Sequence, residues 1–181
     1  KAIQEIKSNK YVLPALQREF VWKAEQIEKL FDSLLRGYPI GSFLFWKVNP
    51  DRIGDFQFYR FMERYHERTY RRNEPFTPPM HQDLTAVLDG QQRLTALNIG
   101  ISGSYASKLP RYWWNNPDAF PIKTLYINLR KPQSQDLETE TNGFEIRFLQ
   151  QSDLENQDEK KYWFRVGEVL QFTNMQSVFN Y

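Results

Sequence analysis

The chain has 181 residues, 40% hydrophobic and 25% charged, with a formal net charge of +2. That size and composition fit one globular domain with a real core, and the charge selects no class of partner by itself. There are no cysteines, which excludes disulfides, thiolate metal sites and thiol nucleophiles. No apolar run reaches membrane-spanning length and Lys1 opens on no signal-peptide pattern, so a cytoplasmic location is expected, with no membrane partner. The chain starts on Lys1 rather than Met and ends on Asn180-Tyr181 after an apolar stretch, as a piece of a longer protein would.

Ile3 and Ile6 predict a short first helix. Pro14 forbids a helix interior, so 11–22, with Gln17, Arg18 and Trp22, is expected to be extended or looped. Ile27, Leu30, Phe31, Leu34 and Leu35 repeat at three and four residues, with Glu25 and Glu28 near the start and Gly37 past the end, and predict an amphipathic helix. The aromatic and branched residues of 40–48 predict a strand. In 49–83, Arg60, Arg64, Arg68 and Arg72 recur every four residues with Glu63 and Glu67 between them. On a helix these arginines would form one drifting stripe, either a solvated, salt-bridged face or a phosphate-facing one with aromatic neighbours. This segment is expected to be an insertion carrying its own helix.

The run 84–88 predicts a buried strand that stops at Asp89-Gly90, where Leu94, Leu97 and Ile101 begin a helical pattern closed by Gly100 and Gly103. A long aromatic connector, 104–121, holds Trp113-Trp114. Segments 123–129 and 144–149 alternate as strands around the polar loop 131–142, 150–161 is a second polar stretch, and 162–166 predicts a last strand before a helix start at 166–170. The predicted fold class is α+β. It is one domain, 1–181, in which 150–181 is the candidate start of a C-terminal part.

Chemistry concentrates at the turn after 84–88. Gly90 permits a tight reversal, Asp89 can cap the new helix, and the helix start offers N–H groups and partial positive charge to an anion. Arg93 adds a planar, permanently charged fork. Elsewhere the options thin out. His66 and His81 have no partner at ligand spacing, no serine sits in a nucleophile elbow, and no Walker glycine loop is present. A carboxylate nuclease pattern around Asp118 and Glu159-Lys160-Lys161 lies in polar loops and carries little weight. What remains is Gln17, Arg18, Asp89, Gln91, Gln92 and Arg93.

Leu13-Pro14-Ala15-Leu16-Gln17-Arg18, Val21-Trp22, Arg36-Gly37-Tyr38-Pro39-Ile40 and Asp89-Gly90-Gln91-Gln92-Arg93-Leu94-Thr95 follow one another in this order. In this the chain resembles, over 1–130, the domain of unknown function 262, the N-terminal domain of GmrSD-type, modification-dependent restriction systems. The family pattern usually has a branched residue and an aromatic where Leu13 and Leu16 stand, and 49–83 is longer than its minimal form. The resemblance implies a fold related to ParB and sulfiredoxin, a small mixed sheet flanked by helices, although sulfiredoxin chemistry needs a cysteine that is absent here.

It also implies a domain that binds and hydrolyses a nucleoside triphosphate (NTP) and senses DNA, modified or not. The nuclease then lies in a C-terminal domain or partner subunit, and oligomers are compatible with it. Under that resemblance Arg18 and Arg93 meet phosphate oxygens and developing charge, Gln91 or Gln92 orients water or phosphate, and Asp89 holds Mg²⁺ or the turn. Gln17 bridges the two motifs, while Gly90 and Thr95 complete the phosphate-binding set. An alternative is a non-catalytic, ParB-like DNA-binding module relying on Arg60, Arg64 and Arg68. A direct nuclease ranks third.

Overall fold

The computed structural model describes residues 1–15, 19–130, 143–155, 161–172 and 176. Ile3 and Ile6 bury together on helix α1 (Ala2–Lys7), as their spacing predicts. The chain then extends as β1 (Tyr11–Pro14), with Val12 and Leu13 buried. Helix α2 (Ala24–Leu35) starts where Gln26 Oε1 accepts the Lys23 amide at 2.9 Å, and ends before Gly37 at φ 74°. Its apolar side, Ile27, Leu30 and Phe31, faces the core. Strand β2 (Leu44–Lys47) is shorter than expected because Gly41, at φ 86°, turns the chain just before it.

The helix expected in 49–83 is absent. A 3₁₀ turn (Pro50–Asp55) leads instead to β3 (Phe58–Tyr59), β4 (Arg64–His66) and β5 (Pro75–Phe76). An Arg–Glu pair at helical spacing contributes only about 0.2–0.5 kcal/mol, whereas burying one aromatic side chain contributes about 1.5–3 kcal/mol. Phe58, Phe61, Tyr65 and Phe76 all bury, and they do so in three different clusters. One straight helix could not distribute them that way, so burial overrides the charge periodicity.

Strand β6 (Thr85–Asp89), helix α3 (Gln91–Ser102), strand β7 (Ser104–Ala106) and a 3₁₀ turn (Pro117–Ala119) follow. After them come β8 (Thr124–Asn128), β9 (Ile146–Leu149), the short α4 (Gln151–Glu155), β10 (Trp163–Arg165) and a 3₁₀ turn (Val166–Gln171). Strand β7 was hidden in the aromatic connector, being too short to show alternation. Helix α4 was hidden in a polar stretch, since it buries nothing and rests on a local cap, the Gln150 amide donating to Asp153 Oδ2 at 2.8 Å. Gly100 does not close α3. It lies inside the helix, where a Cβ would stand 2.5 Å from the Phe31 ring, and Gly103 alone caps the end.

The main sheet has the order β2-β6-β1-β3-β5, with β1 and β6 parallel and every other neighbouring pair antiparallel. A second, antiparallel sheet runs β10-β8-β9, and β4 pairs with β7 in parallel. The fold is therefore α+β with a mixed sheet and flanking helices, as the sequence predicts. Helix α3 joins its parts. Leu94 packs with Val87, Leu13, Ile3 and Ile6 toward the main sheet, while Ala96 and Ile99 pack with Phe31, Leu125 and Ile146 toward the second.

Two buried carboxylates on α2 tie the second sheet down. Glu28 Oε1 accepts the Phe148 amide at 2.9 Å and Oε2 meets Arg147 Nη1 at 3.1 Å; one turn on, Asp32 Oδ1 accepts the Phe144 amide at 2.8 Å. An edge strand's outward amides need acceptors once a helix covers them, and these side chains supply them. Glu28→Ala should therefore lower unfolding free energy by about 2–4 kcal/mol, because it orphans a buried amide and a guanidinium partner. Urea denaturation reads this, with the exposed Glu25→Ala expected to cost under about 0.5 kcal/mol; equal losses would show that the edge contact contributes nothing special.

Candidate functional site

Strand β6 delivers Asp89 to the surface, and the chain reverses into α3 through Gly90 at φ 84°. A Cβ on Gly90 would lie 2.3 Å from the Phe43 ring, so glycine is required here by both backbone and space. No side chain caps the helix start, which leaves its first amides with their partial positive charge facing outward. Asp89 does not cap as expected. Its carboxylate is 68% exposed and lies 3.4 Å from Arg93 Nη2.

Arg93 sits one turn into α3, and its fork is engaged. Nη1 donates to the Ile40 carbonyl and Nη2 to the Ser42 carbonyl at 2.7 Å, with the guanidinium 4.7 Å above the Phe43 ring. Gly41 makes this possible, since a Cβ there would stand 2.5 Å from Nη1. Residues 40–43 are thus part of the site and were missed as such in the sequence. The available signal was Gly41-Ser42-Phe43 straight after the Arg36 to Ile40 motif.

Both glutamines reach backbone. Gln91 Nε2 donates to the Val87 carbonyl at 2.8 Å, while Gln92 donates to the Glu19 carbonyl at 2.9 Å and accepts the Val21 amide at 3.2 Å. Gln92 therefore pairs with the 19–21 backbone as a strand would. Thr95 does not line the site. It is buried behind the turn, where its hydroxyl donates to the Gln91 carbonyl at 2.8 Å, an intrahelical bond. Gln17 and Arg18 lie outside the described residues.

These elements enclose a cleft of about 440 Å³ lined by Trp22, Leu88 and Asp89 to Arg93. An apolar cleft of about 450 Å³, with Pro14, Ala15, Trp46 and Phe56, shares Leu88 and Gln91 with it. Trp22 also lines a third cleft, where the Tyr105 hydroxyl donates to the Trp22 carbonyl at 3.2 Å and the Tyr105 ring stacks on Tyr65. Burial pushes both phenols above their ordinary range, so they stay neutral hydrogen-bonding groups.

The arginine stripe is broken up. Arg60 and Arg64 share a 230 Å³ cleft with Arg72, Arg60 packing on Phe76 and Arg72 pairing with Glu19 at 2.8 Å. Arg68 is elsewhere, donating to the Trp114 carbonyl and lying over Phe120. Among the described residues no three His, Asp or Glu side chains cluster to hold a metal. Burial, followed by the Arg68 charge, lowers the His66 pKa, and His66 Nδ1 accepts the Arg68 amide at 3.2 Å. Asp118 sits in the 3₁₀ turn, while Glu159 and Lys160 lie outside the described residues.

The model of the family described as "GmrSD restriction endonuclease, N-terminal domain" matches residues 1–180, and the chain belongs to that family. It is also 32% identical over 146 residues to the uncharacterized protein MJ0686 of Methanocaldococcus jannaschii, covering 81% of this chain and 22% of that protein. The chain thus spans about a fifth of that relative. No helix among the described residues is long and apolar enough to cross a membrane.

The Gly90 and Gly37 turns separate two effects of glycine. Gly37→Ala meets nothing within 4 Å and should cost about 1 kcal/mol, from the left-handed backbone alone. Gly90→Ala adds a clash with Phe43 and should cost at least about 2 kcal/mol. Thermal or urea unfolding of the two variants checks the order; equal costs would mean that Phe43 is not seated on the turn.

Proposed function

We propose that this domain of the GmrSD N-terminal family binds an NTP at the β6–α3 turn and hydrolyses it. It would act as the sensing and regulatory part of a cytoplasmic, modification-dependent restriction protein whose DNA-cutting domain lies elsewhere. One observation carries this: Gly90 opens an uncapped helix start into a cleft that also holds an exposed carboxylate, Asp89. Uncapped amides at a helix start suit phosphate oxygens, and Trp22 offers a flat wall beside them.

In this reading Arg93 supplies positive charge at the floor of the cleft and fixes the 40–43 loop, rather than swinging out as a free fork. Asp89 fits a Mg²⁺ ion that takes its other ligands from the phosphates and water, because Mg²⁺ is commonly held by only one or two carboxylates. Bound there, the ion would neutralise charge on the transferring phosphoryl group. Gln92 holds the backbone at Glu19 and Val21, next to Arg18, which is proposed as a second phosphate contact. Gln92 is thereby a route by which phosphate at the turn bears on that segment, and Gln91 supports the turn from Val87. Gln17 is proposed to bridge the two motifs.

Phosphate release from a panel of NTPs, with and without modified DNA, tests this. Asp89→Ala should slow turnover by about 10²-fold, about 2.7 kcal/mol, while nucleotide affinity measured by calorimetry changes far less. Arg18→Ala should weaken both. Absence of turnover with every NTP, together with DNA binding lost in Arg60→Ala and Arg64→Ala, would replace the enzyme with the DNA-binding module.

A further inference from the structure

We infer that the loop after β7 is a DNA wedge, with Trp113 entering the base stack of a duplex and Arg111 lying against its phosphates. This rests on the proposal above only in taking DNA as a ligand. Trp113 is 86% exposed, and its neighbours Tyr112 and Trp114 are 43% and 45% exposed. A tryptophan left in water contributes nothing to the core, although burying a large side chain would stabilise the fold by about 1.5–3 kcal/mol.

The exposure does not come from a loose loop. The Lys108 amide donates to Glu67 Oε2 at 2.6 Å, and its ammonium donates to the Leu109 and Tyr112 carbonyls at 3.2 and 3.0 Å. Arg68 Nη1 donates to the Trp114 carbonyl at 3.2 Å, the Asn116 amide donates to that of Trp113 at 3.1 Å, and Leu109 bonds Ala119 at 2.7 Å. Trp114 meets Phe120 edge-on at 5.3 Å. Arg111 itself is held at φ 68°, a backbone state that a non-glycine residue adopts at a cost and that the surrounding bonds enforce. The result is a braced loop that leaves the flat Trp113 ring in solvent, with Lys108 and Arg68 bonded to its carbonyls.

That combination fits a polyanion with stacked bases. Proteins that kink DNA insert apolar wedges between base steps, and base–aromatic stacking tolerates any sequence. The three cations Lys108, Arg111 and Arg68 outnumber the two acids of the same segments, Asp118 and Glu67, whose carboxylate accepts the Lys108 backbone amide.

The test is anisotropy of the full chain with a labelled duplex carrying 2-aminopurine, repeated for Trp113→Ala, Trp113→Phe and Arg111→Ala. Trp113→Ala should weaken binding about tenfold and abolish the rise in 2-aminopurine emission, Trp113→Phe should restore most of both, and melting temperatures should not move. Arg111→Ala should reduce the salt slope by about one. Unchanged affinity and emission in Trp113→Ala would overturn the wedge while leaving DNA binding intact. A parent chain that binds no duplex would overturn both the wedge and the DNA-sensing part of the proposed function. Loss of self-association in Trp113→Ala, seen by sedimentation with DNA binding unaltered, would likewise overturn it in favour of a protein contact.

Discussion

The guanidinium of Arg93 is the contact on which the candidate site depends. It gathers the carbonyls of Ile40 and Ser42, the Phe43 ring and the Asp89 carboxylate into one knot at the start of α3. A guanidinium suits this because it donates in several directions within one plane while its face stays available to an aromatic ring. Two glycines are the geometric condition: Gly41 lets the carbonyl side approach, and Gly90 leaves room for the ring. The 40–43 loop, the end of β6 and the first turn of α3 are therefore fastened together through one side chain. Any ligand in the cleft meets a surface already organised, which lowers the ordering cost of binding.

The same helix carries the rest of the fold. Its start belongs to the site, Leu94 faces the main sheet, and Ile99 and Gly100 face α2 and the second sheet. Because α3 buries residues around most of its circumference, it cannot shift without disturbing both sheets. Glu28 and Asp32 extend this continuity by satisfying the β9 edge. Gln92 extends it the other way, to Glu19 and Val21. Gln92 thus bonds the turn to the segment that follows Gln17 and Arg18 in sequence.

Polar residues in the motifs divide their work unevenly. Asp89 is open to solvent, whereas Gln91, Gln92, Arg93 and Thr95 all bond the backbone. Such residues look alike in a sequence, since a side chain that builds a site and one that touches a ligand share the same chemistry. The pair Trp113-Trp114 shows the same limit for apolar residues. The two tryptophans are adjacent and chemically identical, and only exposure separates Trp114, set against Phe120, from Trp113, which is 86% exposed.

By itself the sequence determined the strand–Gly–helix turn at 84–101, the amphipathic α2, the β8–β9 pair and the α+β class, because each rests on local periodicity and on the conformations that Gly and Pro allow or forbid. It also determined the family motifs. The tertiary structure decided what lies across from those elements. It dissolved the arginine stripe, because the burial of Phe58, Phe61, Tyr65 and Phe76 outweighs weak charge pairing. It brought residues 40–43 onto Arg93 and turned Gly100 from a terminator into a contact for Phe31. Those outcomes depend on contacts between residues far apart in the chain, and no local pattern encodes which carbonyl a guanidinium will find.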